Sequence, residues 1–266
     1  MTPKTENHSI ITDRMCRNEQ LSIFGLIGHP LGHSFSAAYF NEKFSQEGLQ
    51  GFSYRNFDLP DLETGIAALK ADTACRGFNV TVPYKQEILR FLDKLSPQAQ
   101  AIGAVNTVKV ENNGTWTGYN TDYIGFYDSL KAFLPQGKSK ALIMGNGGAS
   151  QAVQYALRTH NWEYIVVCRN PKAGMENMIS YAELTPQIVS CCGLLVNTTR
   201  LGMFPDADSC PDIPYEAVGG NHCAFDLVYN PETTAFMKRC AAQGARTING
   251  LDMLHRQAEA AWKIWR

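Results

Sequence analysis

The chain has 266 residues, 44% of them hydrophobic, with 24 lysines and arginines against 25 aspartates and glutamates and a formal charge of −1. That is apolar material for one or two cores, and the near balance of charge argues against nucleic acid as a partner while leaving room for a local basic pocket. No apolar run approaches the roughly 20 residues that cross a bilayer. The eight cysteines form neither a Cys-x-x-Cys pair nor metal-finger spacing, so reduced thiols, a cytoplasmic location and no metal are expected.

Residues 1–20 are polar and mixed in charge and read as a flexible leader, with Met15 open as a second possible start. Residues 21–27 form an apolar run into Gly28-His29-Pro30, a strand entering a loop. Ser34 is placed to cap a helix reaching about Gly48, with Ala37, Ala38, Phe40 and Phe44 on its apolar face. A strand is expected over 52–57, a helix over 61–71 and a strand over 77–82. Pro83 then stands at the first turn of a helix running to Leu95. Residues 104–111 and 115–119 make a hairpin across Asn112-Asn113-Gly114. A helix over 123–134 leads into a cleaner unit: strand 140–144, helix 148–160 and strand 164–168. Further strands are expected at 193–197, 222–227 and 245–248, with a last helix over 251–266. Alternating strands and helices predict an α/β fold with a domain boundary near Asp122.

The segment Gly145-Asn146-Gly147-Gly148-Ala149-Ser150 follows a strand and opens a helix, the context in which a glycine loop holds a dinucleotide. Gly145 allows the tight turn, Gly147 lets backbone N–H groups reach a pyrophosphate, and the helix start at Gly148 and Ala149 favours its charge. Ser150 departs from the usual Gly or Ala. An NAD site commonly carries an acidic residue at the end of the second strand. Here that end reads Cys168-Arg169-Asn170-Pro171-Lys172, and a guanidinium suits a 2′-phosphate, so NADP is expected.

Polar residues cluster at the ends of apolar runs in the preceding half. Ser34 and Ser36 lie two apart, so both hydroxyls of an extended segment face one way and can hold a carboxylate; capping by Ser34 is the other reading. Thr81, Asn106 and Thr121 are placed to meet hydroxyl groups, although each also suits a local turn bond. Lys85 and Asp122 form the candidate catalytic pair. A carboxylate orients the lysine and favours its charged form, which leaves open which of the two carries the proton. His29 and His33 are separated by Pro30 and Gly32, with no third ligand in view, which disfavours a metal site.

These segments together resemble the shikimate dehydrogenase family over nearly the whole chain from Phe24 onward. The resemblance rests on Gly28 to Ser36, Asn79-Val80-Thr81-Val82-Pro83-Tyr84-Lys85, Gly103 to Thr107, and Asn120-Thr121-Asp122. It continues through Asn197-Thr198-Thr199 with Gly202-Met203, Asp226-Leu227-Val228-Tyr229, and Gly250-Leu251-Asp252-Met253-Leu254-His255-Arg256-Gln257. The chain departs from the family pattern at Ala37, commonly proline, at Phe40, commonly histidine, and in Cys168-Arg169-Asn170.

The resemblance implies a substrate domain over 21–121, a Rossmann-like, doubly wound NADP domain over 122–249, and a final helix, 250–266, returning to the first domain. It implies that Ser34 and Ser36 take the carboxylate of shikimate, while Thr81, Asn106, Asp122 and Gln257 take its hydroxyls, with Lys85 and Asp122 catalytic. Tyr229, Gly250 and Met253 then lie near the nicotinamide, with Tyr229 also touching substrate and Thr198 on the cofactor side. The implied reaction is reversible NADP-dependent oxidation of shikimate to 3-dehydroshikimate, by a monomer or homodimer. Two alternatives remain: a quinate-preferring dehydrogenase, and a non-catalytic sensor, which loss of Lys85 or Asp122 would have favoured.

Overall fold

The computed structural model describes residues 21–32, 35–134, 140–171, 174–175 and 177–266. The leader over 1–20, Ser34 and Lys172 therefore lie outside the described residues.

Two six-stranded sheets organise the chain. The first contains β1 (Ser22–Gly28), β2 (Phe52–Asp58), β3 (Cys75–Val80), β4 (Lys94–Leu95), β5 (Thr107–Val110) and β6 (Trp116–Tyr119), in the order β2-β1-β3-β5-β6-β4. β1 runs parallel to β2 and β3, whereas β5 pairs antiparallel with β3 and β6. Helix α1 (Phe35–Gln46) joins β1 to β2, and α2 (Leu62–Ala71) joins β2 to β3. Asp61 caps α2 by accepting from the Thr64 N–H at 2.9 Å. Then come α3 (Pro97–Ile102), capped by Ser96, and α4 (Asp122–Lys131).

The second sheet is built from β7 (Ala141–Met144), β8 (Tyr164–Cys168), β9 (Met178–Ser180), β10 (Leu194–Asn197), β11 (Cys223–Asp226) and β12 (Arg246–Ile248). Their order is β12-β11-β10-β7-β8-β9, and every pairing is parallel. The chain thus starts at the centre, winds one way through β8 and β9, and returns to wind the other way from β10. This is the doubly wound arrangement, with its switch point between β7 and β10. Helices α5 (Gly148–Thr159), α6 (Pro186–Ser190) and α7 (Ala235–Ala242) cover it. Side-chain alternation along β7 feeds both faces: Ala141 and Ile143 enter the core shared with Phe126 and Val153, Leu142 and Met144 the core shared with Val189 and Phe236.

The last helix, α8 (Leu251–Trp265), leaves the second sheet and packs Ala258, Ala261, Trp262 and Trp265 against Phe24 and Tyr54 of the first and Phe40 of α1. Two glycines permit this. A Cβ on Gly125 would sit 2.6 Å from the Met253 carbonyl, and one on Gly77 would sit 2.4 Å from Trp265 Nε1. Helix α8 thereby crosses α4 closely, and Trp265 packs over Gly77 of β3, donating from Nε1 to the Val108 carbonyl at 2.9 Å.

One expected element differs. Pro83 does not open a helix to Leu95; residues 82–86 form turns, and only Glu87–Phe91 is helical, as a 3₁₀ turn. The Lys85 carbonyl, which a helix would use internally, accepts from the Val105 N–H at 2.7 Å, and the Tyr84 hydroxyl bonds the Leu59 carbonyl. Tertiary partners outcompete the helical ladder there. The short β9, α3 and α6 carry too little periodicity to read from sequence.

Candidate active site

The ends of β3, β5 and β6 and the starts of α4 and α8 meet at one point. Lys85 emerges from the turn after β3, held by its own carbonyl bond to Val105. Its Nζ donates to Asp122 Oδ2 at 2.7 Å, with side-chain exposures of 17% and 7%. Asp122 is the first residue of α4, where the helix dipole favours a carboxylate. Its other oxygen accepts from Asn106 Nδ2 at 2.7 Å. Asn106 also accepts on Oδ1 from the Thr121 N–H at 2.7 Å, and its amide reaches Thr121 Oγ1 and Gln257 Oε1 at 3.0 and 3.3 Å. Gln257 is fixed from the other side by donating to the Leu254 carbonyl at 2.9 Å. Five polar side chains from four separate segments of the chain thus form one bonded cluster, buried except for the partly exposed Lys85.

Thr81 stands at the end of β3 beside Gly28, where a Cβ would lie 2.5 Å from its methyl group. Ser36 is half-buried in the first turn of α1. Tyr229, also partly buried, presents its ring 6.3 Å from that of Phe35. It follows β11, so α1 and the second sheet approach each other there.

The glycine loop sits at the switch point. Gly145 adopts φ +105°, and a Cβ there would lie 2.8 Å from Thr198 Oγ1, so glycine is required. Thr198 is anchored by donating from Oγ1 to the Met144 carbonyl at 2.6 Å. Ser150 is fully buried and donates to the Gly145 carbonyl at 2.7 Å, which explains its place at the sixth loop position: it braces the loop from behind. Gly147 is the N-cap of α5 without a side-chain capping bond, and a Cβ on it would meet nothing within 4 Å. The first N–H groups of α5 therefore face an open approach, which fits a pyrophosphate.

A Cβ on Gly148 would lie 3.0 Å from the Cβ of Lys85. The glycine loop of one sheet and the lysine of the other are in contact. Arg169 is exposed just beyond β8, the edge where a ribose 2′-substituent is met. Gly250 is the N-cap of α8, and a Cβ on it would clash with the Leu227 carbonyl at 2.2 Å. Met253 is buried on the following turn.

A buried network supports the loops that carry Thr198 and Tyr229. Asp226 Oδ1 accepts from Asn197 Nδ2 at 2.9 Å and the Val228 N–H at 3.0 Å, and Oδ2 accepts from Thr234 Oγ1 at 2.6 Å. Burial pushes this carboxyl up to about 6, partly opposed by those three donors. Sequence reasoning gave no role to Asn79, inside a quoted motif, or to Tyr54. Both are buried polar side chains bonded to each other at 2.7 Å. A single tyrosine in an alternating strand carries no sequence signal that separates it from core packing.

A doubly wound sheet with an uncapped glycine loop at its switch point, abutting a buried Lys–Asp pair on a second α/β sheet, defines a dinucleotide-dependent oxidoreductase. Comparison with known proteins narrows the class. The profile of the shikimate dehydrogenase substrate binding domain matches residues 26–108. The chain is 39% identical to the shikimate dehydrogenase (NADP(+)) of Desulforamulus reducens, over 94% of this chain and 92% of that protein. It superposes with a TM-score of 0.82 on the shikimate 5-dehydrogenase of Thermus thermophilus in complex with NADP(H) and shikimate, at 37% identity and 92% and 93% coverage. It is also similar to the quinate dehydrogenase of Corynebacterium glutamicum in complex with NAD, with TM-score 0.80 and 30% identity over 92% and 93% of the two chains. The chain belongs to the shikimate dehydrogenase family.

Proposed function

We propose that this protein catalyses the reversible NADP-dependent oxidation of shikimate to 3-dehydroshikimate, a step of aromatic amino acid biosynthesis. The observation that carries this is the contact between Gly148 and Lys85, which sets the cofactor loop against a buried Lys–Asp pair. The uncapped start of α5 and Gly145, Gly147, Gly148 and Ala149 would hold the pyrophosphate of NADP, with Arg169 and Lys172 toward its 2′-phosphate. Thr198, Gly250 and Met253 would border the nicotinamide, which when bound supplies the hydride acceptor.

On the substrate side, Ser34, Ser36 and Tyr229 hold the carboxylate end of the ring. Thr81, Asn106 and Gln257 bind its hydroxyls. Lys85 and Asp122 orient the reacting hydroxyl and carry its proton. Fixing both ends of a rigid ring is chiefly a positioning effect, and such effects supply several kcal/mol of a barrier. In this reading residues 21–121 form the substrate domain and 122–249 the NADP domain, with 250–266 returning to the first. The enzyme works as a monomer or homodimer. The described cysteines are free thiols, which supports a cytoplasmic setting.

The test is absorbance at 340 nm with shikimate or quinate and NADP⁺ or NAD⁺ in all four pairings. Reduction of NADP⁺ by shikimate alone is expected. Comparable turnover with quinate or NAD⁺ would replace this reading by a broader quinate/shikimate dehydrogenase. Ligand binding without reduction in any pairing would replace it by a sensor.

A further inference from the structure

We propose that Tyr54 is a positioning residue for the shikimate site, holding the Asn79 amide, and through it Asn106, in register with the Lys85–Asp122 pair. The proposal rests on the function given above. Tyr54 lies on β2, with β1 between it and Asn79 on β3. Its ring stacks on Phe40 at 4.7 Å and 14°, with Trp265 at 6.3 Å on another side, so the phenol has no room to swing. It is 3% exposed.

The hydroxyl donates to Asn79 Oδ1 at 2.7 Å. Asn79 then has no freedom to flip. With Oδ1 occupied by Tyr54, its Nδ2 donates to the Asn106 carbonyl and to Thr107 Oγ1, both at 3.1 Å. Thr107 Oγ1 donates to Asn106 Oδ1 at 3.0 Å, and Asn106 Nδ2 donates to Asp122 Oδ1 at 2.7 Å. Asp122 Oδ2 accepts from Lys85.

A continuous line of hydrogen-bonded polar side chains therefore runs from β2 to the reacting pair. Such a line is stiff because every break would leave a buried donor or acceptor unpaired. The phenol touches neither the lysine nor the aspartate, and burial holds it neutral well above the usual tyrosine range, so its part is geometric.

Tyr54→Phe removes only the hydroxyl and keeps the stacked ring. Steady-state kinetics should show KM for shikimate raised about 10-fold, the loss from one buried hydrogen bond, with kcat within about 3-fold and KM for NADP⁺ unchanged. Repeating the substitution in an Asn79→Ala background should shrink that effect, because the two groups act together. Unchanged kinetics would overturn the proposal, as would a fall in kcat and melting temperature at constant KM, or full additivity with Asn79→Ala. The wild-type enzyme in the same assay separates this from failure of the function itself: if it does not oxidise shikimate, both fall.

Discussion

Lys85 is held by two different means, a main-chain bond to Val105 and a side-chain bond to Asp122, and only the second bears on chemistry. Lys85→Ala should leave the turn intact and lower kcat by about 100-fold or more, with the KM for NADP⁺ little changed. A rise in KM for shikimate with kcat preserved would remove Lys85 from the proton path. The motif around this lysine was legible in the sequence because its residues are local: strand, turn and lysine fall within seven positions. Its partner, 37 residues on, could be named as a candidate from its residue type at the end of an apolar run, and the resemblance implied the same pair. Nothing in spacing alone says that the start of α4 faces that turn. Tyr54 and Asn79 were not legible in their roles at all, since burial and a buried partner are properties of the folded sheet.

At the scale of elements, the crossing of α4 and α8 sets the site, because Asp122 begins one helix and Gln257 lies on the other. Their approach depends on Gly125, whose added Cβ would press on main chain rather than on a side chain that could yield. Gly125→Ala should cost about 1–3 kcal/mol, which for a chain of this size corresponds to a fall in melting temperature of roughly 3–10 °C. It should also weaken shikimate binding by separating Gln257 from Asn106. Calorimetry and a shikimate titration check both parts, and unchanged melting would show that the helices slide apart at no cost. The helix expected from Pro83 illustrates the opposite limit, where local propensity predicted an element that the tertiary bonds of Lys85 and Tyr84 displaced.

Across the whole molecule, the Asp226 network ties the ends of β10 and β11 together beneath the loops of Thr198 and Tyr229. Its carboxyl is raised from 3.8 to about 6, chiefly by burial. A group whose folded value exceeds its unfolded one binds protons more tightly when folded. Its contribution to stability is full below the unfolded value and is lost as pH rises through about 6, a change of order 3 kcal/mol. Asp226→Asn has no such titration, so the wild-type melting temperature should fall relative to the variant between about pH 4 and pH 6. A constant difference across that window would show that the carboxyl is not perturbed.

The sequence by itself determined the α/β class, the glycine loop, the order of the motifs and most strand and helix positions. Each is written in local pattern: alternation, caps and turn residues within a few positions of one another. The tertiary structure alone decided that β7 and β10 form the switch point, that α8 crosses α4 over Gly125, and that Gly148 touches Lys85. It also decided that Ser150 braces its own loop and that Tyr54 reaches Asn79. These depend on burial and close packing between segments distant in the chain, where the identity of a contact follows from which surfaces meet.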